Sequence, residues 1–131
     1  MIDTIRPGQA RNGAMPLIQI FTSAPEPTGD AKTALLGELS RLLAETFQKP
    51  ERWSMTCLLP NLSMTFAGQP APCAFVAIRN VGKMTPAQTE RLSAAICRML
   101  SPALGLPADR LYIEFGDVDD YRWGWNGSTF A

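Results

Sequence analysis

The stretch Lys49-Pro50-Glu51-Arg52-Trp53-Ser54-Met55-Thr56-Cys57-Leu58-Leu59 decides the fold, because its outline recurs later in the chain. Pro50-Glu51-Arg52-Trp53 leads into a strand-like run over 53–59, and Pro107-Ala108-Asp109-Arg110-Leu111 leads into another over Leu111 to Phe115. A shift of 58 residues lays Glu51 on Asp109, Arg52 on Arg110, Pro16 on Ala74 and Leu17 on Phe75. Upstream of each copy stand a helical pattern and, before it, a strand. Leu17-Ile18-Gln19-Ile20-Phe21 reads as the first strand, ended by the turn-forming Pro25, Pro27 and Gly29. Leu35, Leu36, Leu39, Leu42 and Leu43 then fall on one helical face, with Thr28 or Asp30 available as cap. Asn61 to Pro72, with Met64 and Phe66, reads as a loop or irregular strand, and Ala74 to Val81 as the third strand. Thr85-Pro86-Ala87-Gln88 matches both a capping box and proline at the first helical position. Leu92, Ile96, Met99, Leu100 and Leu104 follow at helical spacing.

Strand, helix, strand, repeated once, predicts an α+β domain. Two pseudo-equivalent βαβ units form a four-stranded mixed sheet with both helices on one face. The other sheet face carries apolar residues too, and a two-layer domain of this size buries such a face most simply against copies of itself. An oligomer is expected. Residues 1–14 (MIDTIRPGQARNGA) hold two glycines, a proline and two arginines with no hydrophobic period, which reads as a flexible leader ahead of a domain at 15–131.

The 131 residues, 46% apolar and 18% charged, suit one globular domain. Lys plus Arg and Asp plus Glu each count 12 and form no long block, which argues against a nucleic-acid partner. No apolar run approaches the roughly 20 residues of a membrane span, and residues 1–14 lack the apolar centre of a signal peptide, so a cytoplasmic location is expected. The three cysteines, Cys57, Cys73 and Cys97, have no CxxC spacing, which favours a reducing compartment over a disulfide framework. The absence of histidine removes Ser-His and Cys-His catalysis and most zinc sites. The tail Tyr121-Arg122-Trp123-Gly124-Trp125-Asn126-Gly127-Ser128-Thr129-Phe130-Ala131 holds four aromatic side chains where chains usually fray. Trp123 and Trp125, two apart, share a face in an extended segment and are large enough to dock it. A final strand closing the core is the plain reading, and a site wall is compatible with it. Tyr112 and Glu114 share a face of the fourth strand by the same period.

Met15-Pro16-Leu17-Ile18, Lys49-Pro50, Met64-Thr65-Phe66, Pro72-Cys73-Ala74, Val81-Gly82-Lys83, Tyr112-Ile113-Glu114 and the ending Trp125-Asn126-Gly127-Ser128-Thr129-Phe130-Ala131, in that order, resemble the macrophage migration inhibitory factor branch of the tautomerase superfamily. The resemblance covers residues 15–131. It implies a homotrimer with sites between subunits, acting without metal or cofactor as a keto-enol tautomerase on phenylpyruvate-like, aromatic α-keto acids. In the family the first residue of the mature chain is a proline whose secondary amine is the base, and the matching position is Pro16. An α-amino group titrates near 7.7–8.0, so modest burial beside a cation leaves it neutral and able to take a proton from carbon next to a carbonyl. The resemblance places Lys49 as that cation, Val81 as a backbone contact and Tyr112 as a hydroxyl reaching across from the adjacent subunit. It makes Trp123, Trp125 and Phe130 the apolar walls. On the residues alone, a lysine after a helix is a solvated charge and a strand tyrosine is core.

Pro16 inside a longer chain is an amide, and an amide nitrogen is no base. Translation from Met15 with loss of that methionine, or a proteolytic cut, frees it. Glu114 stands where vertebrate members have a neutral amide, and a carboxylate there favours the protonated amine, opposes Lys49 and repels an acidic substrate unless paired. Cys73 is followed three residues later by Val76, so the vertebrate CxxC is missing and its thiol chemistry is not carried over. The rival readings are a catalytically silent, cytokine-like binding protein and, behind it, the dehalogenase or hydratase chemistry of other branches, which needs arginines such as Arg79, Arg110 or Arg122 facing the site.

Overall fold

A computed structural model describes residues 15–131, and the expected leader over 1–14 lies outside the described residues. The elements run β1 (Leu17–Thr22), α1 (Gly29–Phe47), β2 (Met55–Leu59), β3 (Ala74–Val81), α2 (Pro86–Leu104), β4 (Leu111–Val118), β5 (Gly124–Trp125) and β6 (Ser128–Thr129). Short 3-10 turns occupy Glu51–Trp53, Ala108–Arg110 and Asp120–Arg122. The main sheet has the order β2-β1-β3-β4. β1 runs parallel to β2 and β3 parallel to β4, while β1 and β3 meet antiparallel in the middle. Each half is thus one βαβ unit, and the two are related about the β1–β3 seam.

The helical period and the strand period meet on one face of the sheet. Ile18 and Ile20 of β1 lie opposite Ile78 and Val76 of β3, all fully buried against Leu39 and Leu43 of α1 and Leu92, Ile96 and Leu100 of α2. Burial of each such side chain contributes roughly 1.5–3 kcal/mol. The capping box forms as expected: the Gln88 amide donates to Thr85 Oγ1 at 3.1 Å, and the Thr85 amide donates to Gln88 Oε1 at 2.9 Å. Thr28 is the N-cap of α1 but makes no side-chain cap bond.

On the opposite face Phe21, Phe75 and Tyr112 line up across three strands, and the Phe21 and Phe75 rings sit 6.0 Å apart. Arg79 Nη1 donates to Gln19 Oε1 at 3.2 Å, and Tyr112 is 66% exposed. Neither helix packs on this side of the sheet.

Three boundaries differ from the sequence reading. β4 runs on to Val118, because Arg79, Asn80 and Val81 of β3 offer partners to Gly116, Asp117 and Val118. β2 starts at Met55, because the Trp53 amide turns back to the Pro50 carbonyl at 3.2 Å. The tail is a separate two-stranded hairpin, β5–β6, rather than a strand of the main sheet. Its turn is Asn126-Gly127, with φ of 51° and 81° and Trp125 opposite Ser128, the left-handed pair a two-residue hairpin requires.

Candidate functional site

The site starts where α1 stops. Gln48 takes the left-handed conformation, and the Lys49 amide donates back to the Ala44 carbonyl at 2.9 Å, so the chain reverses. Pro50 then leads into the Glu51–Trp53 turn, which throws Trp53 toward the tail. From the other side the Asn126-Gly127 turn folds the tail back, and the Phe130 amide donates to the Trp123 carbonyl at 3.2 Å. The two arrivals interlock. Trp53 meets Trp125 edge-on (centroids 5.0 Å, planes at 78°) and Phe130 edge-on (5.8 Å, 90°), while Trp125 and Phe130 stack at 5.8 Å and 23°. Such pairs add about 0.5–1.5 kcal/mol each beyond burial. Met15, Val81 and Phe130 form the buried floor of this cluster, with Trp53, Trp123 and Trp125 packed over it.

A cavity of about 460 Å³ opens here, lined by Met15, Arg52, Trp53, Ser54, Met55, Trp123, Gly124, Trp125 and Phe130. Its size suits a small organic molecule. Aromatic faces and edges make most of its wall, and Arg52 is the one charged residue among the described residues of the lining, with its guanidinium 5.5 Å from the Trp53 ring centre. The Ser54 hydroxyl oxygen is buried without a hydrogen-bond partner among the described residues, an unmade bond that costs about 1–3 kcal/mol.

The residues singled out from sequence fall into three groups. Val81, Trp123, Trp125 and Phe130 come together at this corner. Pro16 is buried beside it: its carbonyl accepts from the Met55 amide at 3.0 Å, and Met15, joined to its nitrogen, is part of the cavity wall. Lys49 is half-buried at the end of α1 and lies outside the cavity lining. Tyr112 and Glu114 are placed on β4, in register with Phe75 and Ala77, so that Tyr112 lies toward the opposite end of the sheet from Pro16 and Glu114 near its middle. Tyr112 borders a second cavity there with Phe66, whose ring centre is 4.9 Å away. Arg52, Trp53, Ser54 and Met55 join the site without a sequence motif that names them. The signal for Arg52 and Trp53 is the repeated turn, which marks an exposed bend rather than a strand end.

The macrophage migration inhibitory factor family model matches residues 15–131. The rat macrophage migration inhibitory factor is 35% identical over 117 residues, which cover 89% of this chain and all of the relative. The crystal structure of the homologue from Prochlorococcus marinus is 43% identical, with a TM-score of 0.82 over 88% of this chain and 99% of that one. The protein from Toxoplasma gondii, 26% identical, superposes with a TM-score of 0.81 over 87% and 99%. With the order β2-β1-β3-β4, two helices on one face and a tail hairpin at the head of β1, the chain belongs to the macrophage migration inhibitory factor family.

Proposed function

We propose that the protein is a keto-enol tautomerase acting on aromatic α-keto acids of the phenylpyruvate kind, with the amine of Pro16 as general base once that residue begins the chain. One observation carries the reading: the residue bonded to the Pro16 nitrogen, Met15, is itself part of the wall of an aromatic cavity. Loss of Met15 enlarges that cavity and turns the proline nitrogen from an amide into a secondary amine facing it. The amine removes a proton from the carbon beside the keto group, and its return to the other end of the enolate completes the 1,3 shift. Trp125 and Phe130 supply flat apolar surface for the substrate ring, and Trp53 joins them as a third wall.

Lys49, one turn upstream of Trp53, holds a positive charge near the site and keeps the amine neutral by repulsion. Tyr112 and Glu114 belong to the site only if a second subunit brings its β4 to the head of β1. A homotrimer packed on the open sheet face supplies that arrangement.

The test compares enol-to-keto conversion of phenylpyruvate by the full chain and by the chain that begins at Pro16. The full chain is expected to be silent and the shortened chain active. Pro16→Gly in the shortened chain lowers the rate at least about 100-fold, the usual contribution of a positioned base. Retained activity in that variant overturns the mechanism. The catalytically silent, cytokine-like binding protein is favoured by the same Met15–Pro16 bond if it persists in the mature protein, and a native intact mass that begins upstream of Pro16 selects it.

A further inference from the structure

Among the described residues of the cavity wall Ser54 alone carries a hydroxyl, and that oxygen is buried without a hydrogen-bond partner. A hydroxyl in this state leaves a donor and two acceptor sites unused, at a cost that a bound ligand removes. Its place is set by the strand ladder. Met55 pairs with Leu17 in parallel register and the Met55 amide donates to the Pro16 carbonyl at 3.0 Å, so Ser54, the residue before Met55, adjoins Pro16. We propose that the Ser54 hydroxyl donates to the keto oxygen of the substrate and steadies the charge that gathers there when Pro16 takes a proton from the neighbouring carbon. The inference rests on the reading of Pro16 as the base of an aromatic α-keto acid tautomerase.

Three features carry it. Met15 stands on the same wall, is 3% exposed and is joined to the Pro16 nitrogen, so its loss frees the amine and clears space beside Ser54 in one event. Rotation about χ1 alone then turns the hydroxyl into that space. The keto oxygen and the carbon that gives up the proton are two bonds apart, a span that fits between an amine and a hydroxyl on strands about 4.8 Å apart. Trp53, Trp125 and Phe130 make the surroundings apolar, and a hydrogen bond to developing charge is stronger there than in water. Protons balance without Ser54. One passes between carbon and oxygen by way of the Pro16 nitrogen, and the serine O–H bond is neither broken nor made.

The test reads turnover in the chain that begins at Pro16 and stability in the full chain. In the former, Ser54→Ala is expected to lower kcat for enol-to-keto conversion of phenylpyruvate about 100-fold with KM little changed, the effect of removing one donor to a developing oxyanion. Ser54→Thr keeps the hydroxyl and most of the rate, whereas Ser54→Val, of the same shape without it, does not. In the full chain Ser54→Ala is expected to raise the urea midpoint, because the unmade bond leaves with the oxygen. An unchanged kcat in Ser54→Ala, or equal losses in the threonine and valine variants, overturns the role of Ser54 and leaves the tautomerase standing. A lowered midpoint marks a hydroxyl already bonded inside the protein and overturns it as well. An unaltered chain that begins at Pro16, folds and is silent overturns both readings.

Discussion

Arg52 and Arg110 occupy the same place in the two halves, each in a short 3-10 turn between helix and strand, and they meet different surroundings. Arg110 is spent on its own backbone. Its Nε donates to the Pro72 carbonyl at 3.0 Å, Nη1 to Phe66 at 3.3 Å, and Nη2 to Gln69 at 3.1 Å and Ala71 at 2.7 Å, while the guanidinium lies 5.4 Å from the Phe66 ring centre. It ties down the loop over 66–72 and, through Phe66, backs Tyr112. Arg52 lies over Trp53 on a cavity wall. The first half borders a cavity because the tail hairpin lies beside its turn. The second half received a loop there, and its arginine was absorbed in holding it. One scaffold position, duplicated, yields a clamp where backbone carbonyls converge on it and part of a cavity wall where aromatic rings do.

The comparison breaks most visibly at Arg110. Arg110→Met removes four bonds from a charged donor and is expected to cost about 2 kcal/mol, read as a lowered urea midpoint. An unchanged midpoint means that Arg110 does not hold the loop over 66–72.

The tail is what makes the halves unequal, so its turn comes next. Gly127 has φ of 81°, and no described atom lies within 4 Å of the point an alanine methyl would take, so Gly127→Ala meets backbone strain alone. It is expected to cost about 1 kcal/mol and to weaken binding of phenylpyruvate, read by quenching of tryptophan fluorescence, because Trp125 and Phe130 loosen together.

The smallest effect lies at the helix exits. α2 ends on Gly105 at φ 64°, whereas α1 ends on Gln48 at φ 55°. Gln48→Gly makes the halves alike and is expected to raise stability by about 0.5 kcal/mol in thermal unfolding. A loss instead means that the glutamine side chain secures the turn that leads to Trp53.

The halves are legible in the sequence for a simple reason. Leucines at helical spacing, alternating strands and a capping box are local patterns, and each survives packing with its boundary intact or shifted by a few residues. The end of β4 is not legible, because Gly116-Asp117-Val118 has no strand character of its own and is held by β3. Trp53 has the propensity of a strand residue, but a proline three residues earlier bends the chain into a turn there. The Asn126-Gly127 hairpin is written in the sequence and overshadowed by the aromatic residues around it. Which residues wall the cavity depends on where the tail lands, and no local pattern encodes that. Tyr112 and Glu114 carry the same lesson, since a role for them in the site depends on a second subunit and not on the chain's own fold.

The β1–β3 seam has a kinetic meaning. Its strands belong to different halves, and Ile18 must find Ile78 across most of an intervening half before either inner strand has both neighbours. Neither βαβ unit can therefore finish alone, and closure of that long loop is the entropic hurdle that sets the pace. Substitutions at Ile18 or Ile78 should slow refolding, while those in the tail hairpin, which docks on a finished scaffold, should chiefly hasten unfolding.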